Sequence, residues 1–341
     1  MGNSMGYSIK EFAYKVPQSE SPKSLLSVVA AGFSDDTFSN YDADKSLGKS
    51  RHLSAATKLW SSAANKLLAG DLLADTLSRS PEKVGIFLAV ENINLEDDFI
   101  FDLCAKNYGP DYVSPLKAPN TLANVVGSYF ARFSGITGPN CTLSAGQSGG
   151  MHGLDLAMLS LDNGAVELAI VGAVEVKSDY HSRIDVASRE IAISCMLAHA
   201  DDNDDVVIYP PLLQTRTNIT EVDIAQKISK EATKHLGKPN VDMVWLAAGV
   251  DQLEQDKFAT AIAGCGVSHS LMLGEKLFST GESCNTLLFC SLANEIMKAD
   301  NKSLNILKPS TLGILPECLS SVAIVSLDNS GQIAILIQGR K

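Results

Sequence analysis

The sequence predicts an α/β protein of two similar halves, and three observations carry the prediction. Short apolar runs without strict alternation, such as 84–90 and 168–174, read as strands covered on both faces by helices. Segments with apolar residues at helical spacing separate those strands, which is the alternation of an α/β chain. The alternation then stops at an acidic run, 201–205, and starts again beyond it. A length of 341 residues, at roughly 150 residues per domain, agrees with two units.

The elements follow in order. A first helix is expected over 54–77, where Leu59, Ala63 and Leu67 recur every four residues and Ser54 can cap the start. The strand 84–90 comes after Pro81. A second helix is expected over 119–133, closed by Gly135 and by Gly138 with Pro139. A short strand at 141–145, a glycine-rich turn at 146–150, a helix at 151–161 and the strand 168–174 complete this half. In the second half, Thr220 and Asp223 resemble a capping pair for a helix with Ile224, Ile228 and Ala232 on one face, ended by Gly237 and Pro239. Residues 243–247 read as a strand, 256–263 and 285–297 as helices, and 321–327 with 332–338 as a hairpin around Asp328 to Gly331. The boundary is expected within 201–219, giving units 1–219 and 220–341.

Composition narrows the function. A hydrophobic fraction of 45% with 20% charged residues describes a chain able to build a core and excludes disordered or fibrous classes. With 28 Lys+Arg against 39 Asp+Glu the net charge is −11, which argues against nucleic acid or an anionic membrane as partner. No apolar run approaches the roughly 20 residues of a membrane span. The N-terminus has neither a secretory nor a myristoylation pattern, so a cytoplasmic location is expected. The seven cysteines, Cys104, Cys141, Cys195, Cys265, Cys284, Cys290 and Cys318, are odd in number and dispersed without a CxxC pair. They read as reduced thiols, and neither a metal nor a cofactor is expected. The run 201–205 lacks the glycine and the twelfth-position glutamate of a calcium loop, so a solvated turn is the expectation.

The segment 141–150 is the most informative. A strand, a tight turn and a helix start hold one side chain clear of the backbone, and the helix N-terminus stabilises a thiolate or an oxyanion there. The residue at that place is Gln147. An amide does not attack a thioester, so the turn either has no covalent chemistry, uses the amide as a donor, or is merely a connection. His152, just beyond it, is expected on a helix surface or interface. His52, His181, His199, His235 and His269 are expected at the surface or as satisfied core residues, and Cys141 as a packed side chain.

Here the chain resembles a known family. The stretches 109–114, 138–140, 143–156 and 170–175 look like a β-ketoacyl synthase around its nucleophile turn. Active synthases carry Cys there; Gln147, Ser148, Gly149 and Gly150, with Leu154 and Asp155 beyond, are similar to the pattern of chain-length factors, the KSβ subunits of type II polyketide synthases. The resemblance implies a thiolase-like fold of αβαβα layers. It also implies that the two histidines of an active synthase are replaced. The first position falls in Leu246 to Asp251, with Ala247 and no His, and the second follows Gly281, where Glu282 stands. The phenylalanine-rich C-terminal loop of synthases has shrunk to 328–331, and a segment common in synthases is missing between Glu175 and Ile208. Gln147, Ala247 and Glu282 are therefore read as degenerate positions, with no catalytic residue in this chain.

Such a subunit is expected to form a heterodimer with a catalytic ketosynthase. The strand Asn140, Cys141, Thr142, Leu143, Ser144 and Ala145 would meet its counterpart at the pseudo-two-fold axis. Leu116, Pro119, Leu122 and Ala123 would lie near the acyl tunnel and set chain length, and the acyl carrier protein would dock mainly on the partner. The alternatives are a Gln-type decarboxylase of malonyl thioesters that supplies primers and a purely structural thiolase-fold partner.

Overall fold

The computed structural model describes residues 6–15, 25–26, 29, 52–183, 190–215, 220–248, 255–264, 270–273, 283–299, 311–313, 315–328 and 332–341. The strands are β1 (Tyr7–Lys15), β2 (Val84–Val90), β3 (Asn140–Leu143), β4 (Leu168–Glu175), β5 (Ile191–His199), β6 (Val206–Ile208), β7 (Leu212–Thr215), β8 (Met243–Ala248), β9 (Ser270–Leu273), β10 (Thr311–Gly313), β11 (Ser321–Leu327) and β12 (Gln332–Arg340). The helices are α1 (Ala55–Ala64), α2 (Asp71–Arg79), α3 (Leu95–Tyr108), α4 (Val125–Ser134), α5 (Gly149–Asp162), α6 (Asp179–Arg183), α7 (Glu221–Leu236), α8 (Gln255–Gly264) and α9 (Asn285–Lys298).

Among the described residues the strands join in the order β10-β9-β8-β11-β12-β6-β1-β5-β4-β2-β3, with β7 also on β12. Within the sheet, β6 is the link between β12 and β1: it bonds β12 over Val206 to Ile208 and meets β1 where Tyr7 faces Ile208. The strands of each half alternate between two cores. Along β4, Leu168, Ile170 and Val174 enter a cluster with Leu59, Trp60 and Phe130 of α1 and α4, while Ala169, Val171 and Ala173 enter a second cluster with α5 and α9. Along β11, Val322 and Ile324 enter that same second cluster, while Ala323 and Val325 pack with Ile228 and Phe258 of α7 and α8. The layers are thus outer helices, strands, the central pair α5 and α9, strands, and outer helices. Both faces of β2 and β4 are covered, which is why they read as unbroken apolar runs.

The capping box at Thr220 and Asp223 and the left-handed Gly237 bound α7 as the sequence predicts. Three expectations need correction. The helix expected over 54–77 is broken: α1 stops at Ala64, a 3-10 turn covers Asn65–Ala69, and the extended Gly70 precedes α2. The helix expected from residue 119 begins at Val125, because Ala118–Thr121 is a separate 3-10 turn around Pro119 and Leu122 is extended. The strand of the glycine-rich turn runs from Asn140 to Leu143, so Ser144 and Ala145 are outside it. Several elements are not signalled by the apolar pattern, and three of them matter most. They are β1, β5, which bonds antiparallel to both β4 and β1, and α3, of which no residue is buried.

Trp60 is fully buried, edge-on to Phe130 at 5.2 Å between ring centres, and its indole packs against Gly172 of β4. A methyl on Gly172 would stand 2.7 Å from Trp60 Cε2. Gly172→Ala is expected to lower stability by about 2 kcal/mol through overpacking, read as a reduced urea midpoint.

Candidate functional site

The turn at 144–150 is built by parallel pairing. Asn140 to Leu143 stand opposite Ile86 to Ala89 of β2, which delivers the chain to the end of the sheet where α5 begins. Gly146 has φ +56, the left-handed region that favours glycine, and a 3-10 turn over Gly146–Ser148 leads into α5 at Gly149. The turn is held from two sides. Glu91, just past β2, accepts from the Gly146 N–H at 3.2 Å and from Ser144 Oγ at 3.1 Å. Ser326 of β11 donates to the Gln147 carbonyl at 3.0 Å and lies 3.4 Å from Ser148 Oγ. Gln147 Oε1 is shut off from solvent and has no hydrogen-bond partner among the described residues.

Across from this turn α9 begins. A methyl on Gly150 would stand 2.8 Å from the Ser283 carbonyl and 3.1 Å from Thr286 Cβ, and one on Gly149 would stand 3.5 Å from Ser283 Cβ. Glycine at position 150 therefore lets the N-termini of α5 and α9 lie side by side. Both ends carry partial positive charge. Glu175, at the end of β4 and only 5% exposed, answers it by accepting from Ser283 Oγ at 3.2 Å and the Cys284 N–H at 3.1 Å. One residue further, the Asn285 side chain donates to the Ala247 carbonyl at 2.9 Å.

The structure brings Gln147 and Ala247 together. Ser326, bonded to the Gln147 carbonyl, stands opposite Ala248 in the parallel β8–β11 ladder, so the two positions are one strand apart. Ala247 is buried and presents a methyl, which neither gives nor takes a proton. Glu282 lies outside the described residues, as do 249–254, 276–281 and 329–331; its neighbour Ser283 is part of the cluster. His152, on α5, meets Gln332 Oε1 of β12 at 3.0 Å and joins the two halves. Burial raises the carboxyl of Asp155, one turn along, with His152 opposing the shift.

The other expected positions lie elsewhere. Leu116 and Leu122 are 62% and 58% exposed, Pro119 is exposed, and Ala123 packs partly against the outer core. Leu116, Pro119 and Leu122 are thus open to solvent in the single chain. Asn140, Cys141, Thr142 and Leu143 form β3, which ends the sheet with β2 on one side and no strand on the other among the described residues. Ser144 and Ala145 continue from it into the turn. Lys10 holds Asp201 and Asp204 at 2.8 and 2.6 Å. No helix among the described residues is long and apolar enough to cross a membrane.

Sequence reasoning missed Glu91, Glu175, Ser326 and Asn285. A carboxylate closing each of two buried runs, Val84–Val90 and 168–174, was the available signal for the first two.

A family model for the β-ketoacyl synthase N-terminal domain matches residues 15–205, more than half of the chain. The chain belongs to the β-ketoacyl synthase family. No curated protein matches the sequence. Among solved structures, it is similar to AntDE:AntF, described as a type II polyketide synthase acyl-carrier protein in complex with its ketosynthase bound to the hexaketide. The TM-score is 0.77 at 14% identity, covering 99% of this chain and 100% of that one. It is also similar to the ishigamide ketosynthase/chain length factor, with a TM-score of 0.72 at 15% identity and coverage of 98% and 99%. A third likeness is to the ketosynthase ApeO in complex with its chain length factor ApeC from Xenorhabdus doucetiae, with a TM-score of 0.70 at 13% identity and coverage of 99% and 98%. These likenesses establish the thiolase-like ketosynthase fold.

Two outcomes are expected. Cys195 is fully buried and its thiol is pushed up to about 12, and burial raises Cys284 and Cys290 well above the ordinary range. Iodoacetamide on the folded chain near neutral pH should therefore modify the exposed Cys318 and spare these three, as read by peptide mass. Glu175→Ala strips the partner from two buried donors at a helix start and should cost about 2–4 kcal/mol, seen as a lower melting temperature.

Proposed function

We propose that this chain is a non-catalytic ketosynthase-like subunit, a chain-length factor, that pairs with a catalytic ketosynthase and completes its acyl tunnel. What supports the reading is a thiolase-like scaffold in which Gln147 stands where the resemblance places the nucleophile, one strand away from Ala247, where it places the first histidine. Condensation needs a nucleophile and donors for the developing oxyanion, and neither an amide nor a methyl replaces a thiolate and an imidazole.

The partner surface is supported by β3 and its surroundings. An open strand edge is a template for another strand. Near it in sequence lie exposed apolar residues: Phe99, Ile100 and Leu103 at helical spacing on α3, then Tyr108, Tyr112, Leu116 and Leu122. So much exposed apolar surface on one stretch of chain is the mark of an interface. Leu116, Pro119 and Leu122, exposed in the single chain, line a tunnel only once a partner covers them, so their volume acts through the assembled pair. The carrier protein, in this reading, docks mainly on the ketosynthase.

Coexpression with the ketosynthase should give a one-to-one complex on gel filtration. The Ile86 N–H bonds to the Pro139 carbonyl, so in the parallel ladder the Thr142 N–H points away from β2, toward the partner. Thr142→Pro should therefore weaken the complex at least about tenfold with little change in the melting temperature of the free chain. Ile100→Asp should do the same by charging the α3 stripe. Complexes unaffected by both changes would exclude this surface. In a complex that still forms, Leu122→Trp should shorten the product; an unchanged product would leave this chain as a structural partner only.

A further inference from the structure

The carboxylate of Glu91 is placed where an active turn of this kind needs positive potential. A strand-turn-helix start stabilises an anion through free backbone N–H groups and the roughly +0.5 charge of the helix end. Here the Gly146 N–H, immediately before Gln147, is already taken by Glu91 Oε2 at 3.2 Å, and the same oxygen accepts from Ser144 Oγ at 3.1 Å. A full negative charge exceeds the half charge of the α5 N-terminus. The turn is thus occupied by an anion of the chain itself.

Glu91 is also held. The next residue, Asn92, has φ +51, and its carbonyl accepts from His181 Nε2 at 3.1 Å. His181 Nδ1 accepts from the Ser178 N–H at 3.2 Å, which leaves the proton of the neutral ring on Nε2, and burial lowers the pKa of the ring. Two residues further, Asn94 Nδ2 donates to Asp98 at 2.7 Å and to the Thr121 carbonyl at 2.9 Å. The segment after β2 is therefore fixed to three other parts of the fold, and Glu91 does not swing away at little cost when another anion approaches.

We propose that Glu91 is a positioning residue that locks the degenerate nucleophile turn and opposes any anion there, so that the turn stays inert even when a nucleophile is restored at position 147. The inference rests on the non-catalytic reading of the turn and concerns the free chain alone, so its test is independent of partner binding and product length.

The test compares iodoacetamide alkylation at one fixed pH near neutrality in Gln147→Cys and in Gln147→Cys combined with Glu91→Gln. Glutamine keeps an oxygen acceptor and removes only the charge. The combined variant should react about 5–10-fold faster, since removing a nearby charge favours thiolate by about one unit. Raising the salt to about 1 M should speed the single variant and leave the combined one unchanged, which loosened packing alone would not produce. Equal rates insensitive to salt would overturn the electrostatic role. Should Gln147→Cys not fold, amide exchange at Gly146 decides: Glu91→Ala in the otherwise natural chain should accelerate it at least about tenfold, and unchanged exchange would overturn the proposal.

Discussion

Two helices begin at one buried place, and most of this molecule is arranged to allow it. The N-termini of α5 and α9 lie side by side between the two sheet halves, where Gly150 removes the side chain that would collide with Ser283 and Thr286. Like partial charges are brought together in a poorly solvated layer, and the buried Glu175 supplies the opposite charge through Ser283 Oγ and the Cys284 N–H. The strands converge on the same point: β3 and β4 deliver the turn and Glu175, while β8 and β11 deliver Ala247 and Ser326.

Helix N-termini gathered in this way would favour an anion placed between them. In this chain the anions are built in. Glu175 neutralises the α9 end and Glu91 takes the turn N–H before Gln147. In the proposed reading the scaffold is kept while the groups that condensation needs are not, which is the pattern expected of a subunit whose shape is needed and whose chemistry is not.

How much of this could be read from the sequence depended on the range of the interactions. β2 and β4 were legible because both faces are buried, and α7 because Thr220, Asp223 and Gly237 mark its ends locally. β1 was not, since Lys10 and Glu11 interrupt its apolar residues and a bulge lies between Ile9 and Glu11. β5 hid behind Ser194, a small polar residue that interrupts its apolar run and packs well between layers. The first helix read as continuous because its apolar period survives the break at Gly70. α3 escaped notice because its apolar residues face outward and none is buried. At the site, Gln147 was legible from the glycines around it. Glu91 and Glu175 were not, because their partners lie 53 to 109 residues away and only the fold brings them together.

The central claim is that this chain holds no reacting group and leaves acyl transfer to its partner. Incubating the assembled pair with an acyl thioester and weighing both chains intact tests it most directly. The account predicts an acyl adduct on the ketosynthase alone and none on this chain. An acyl adduct on this chain at stoichiometric level would contradict it.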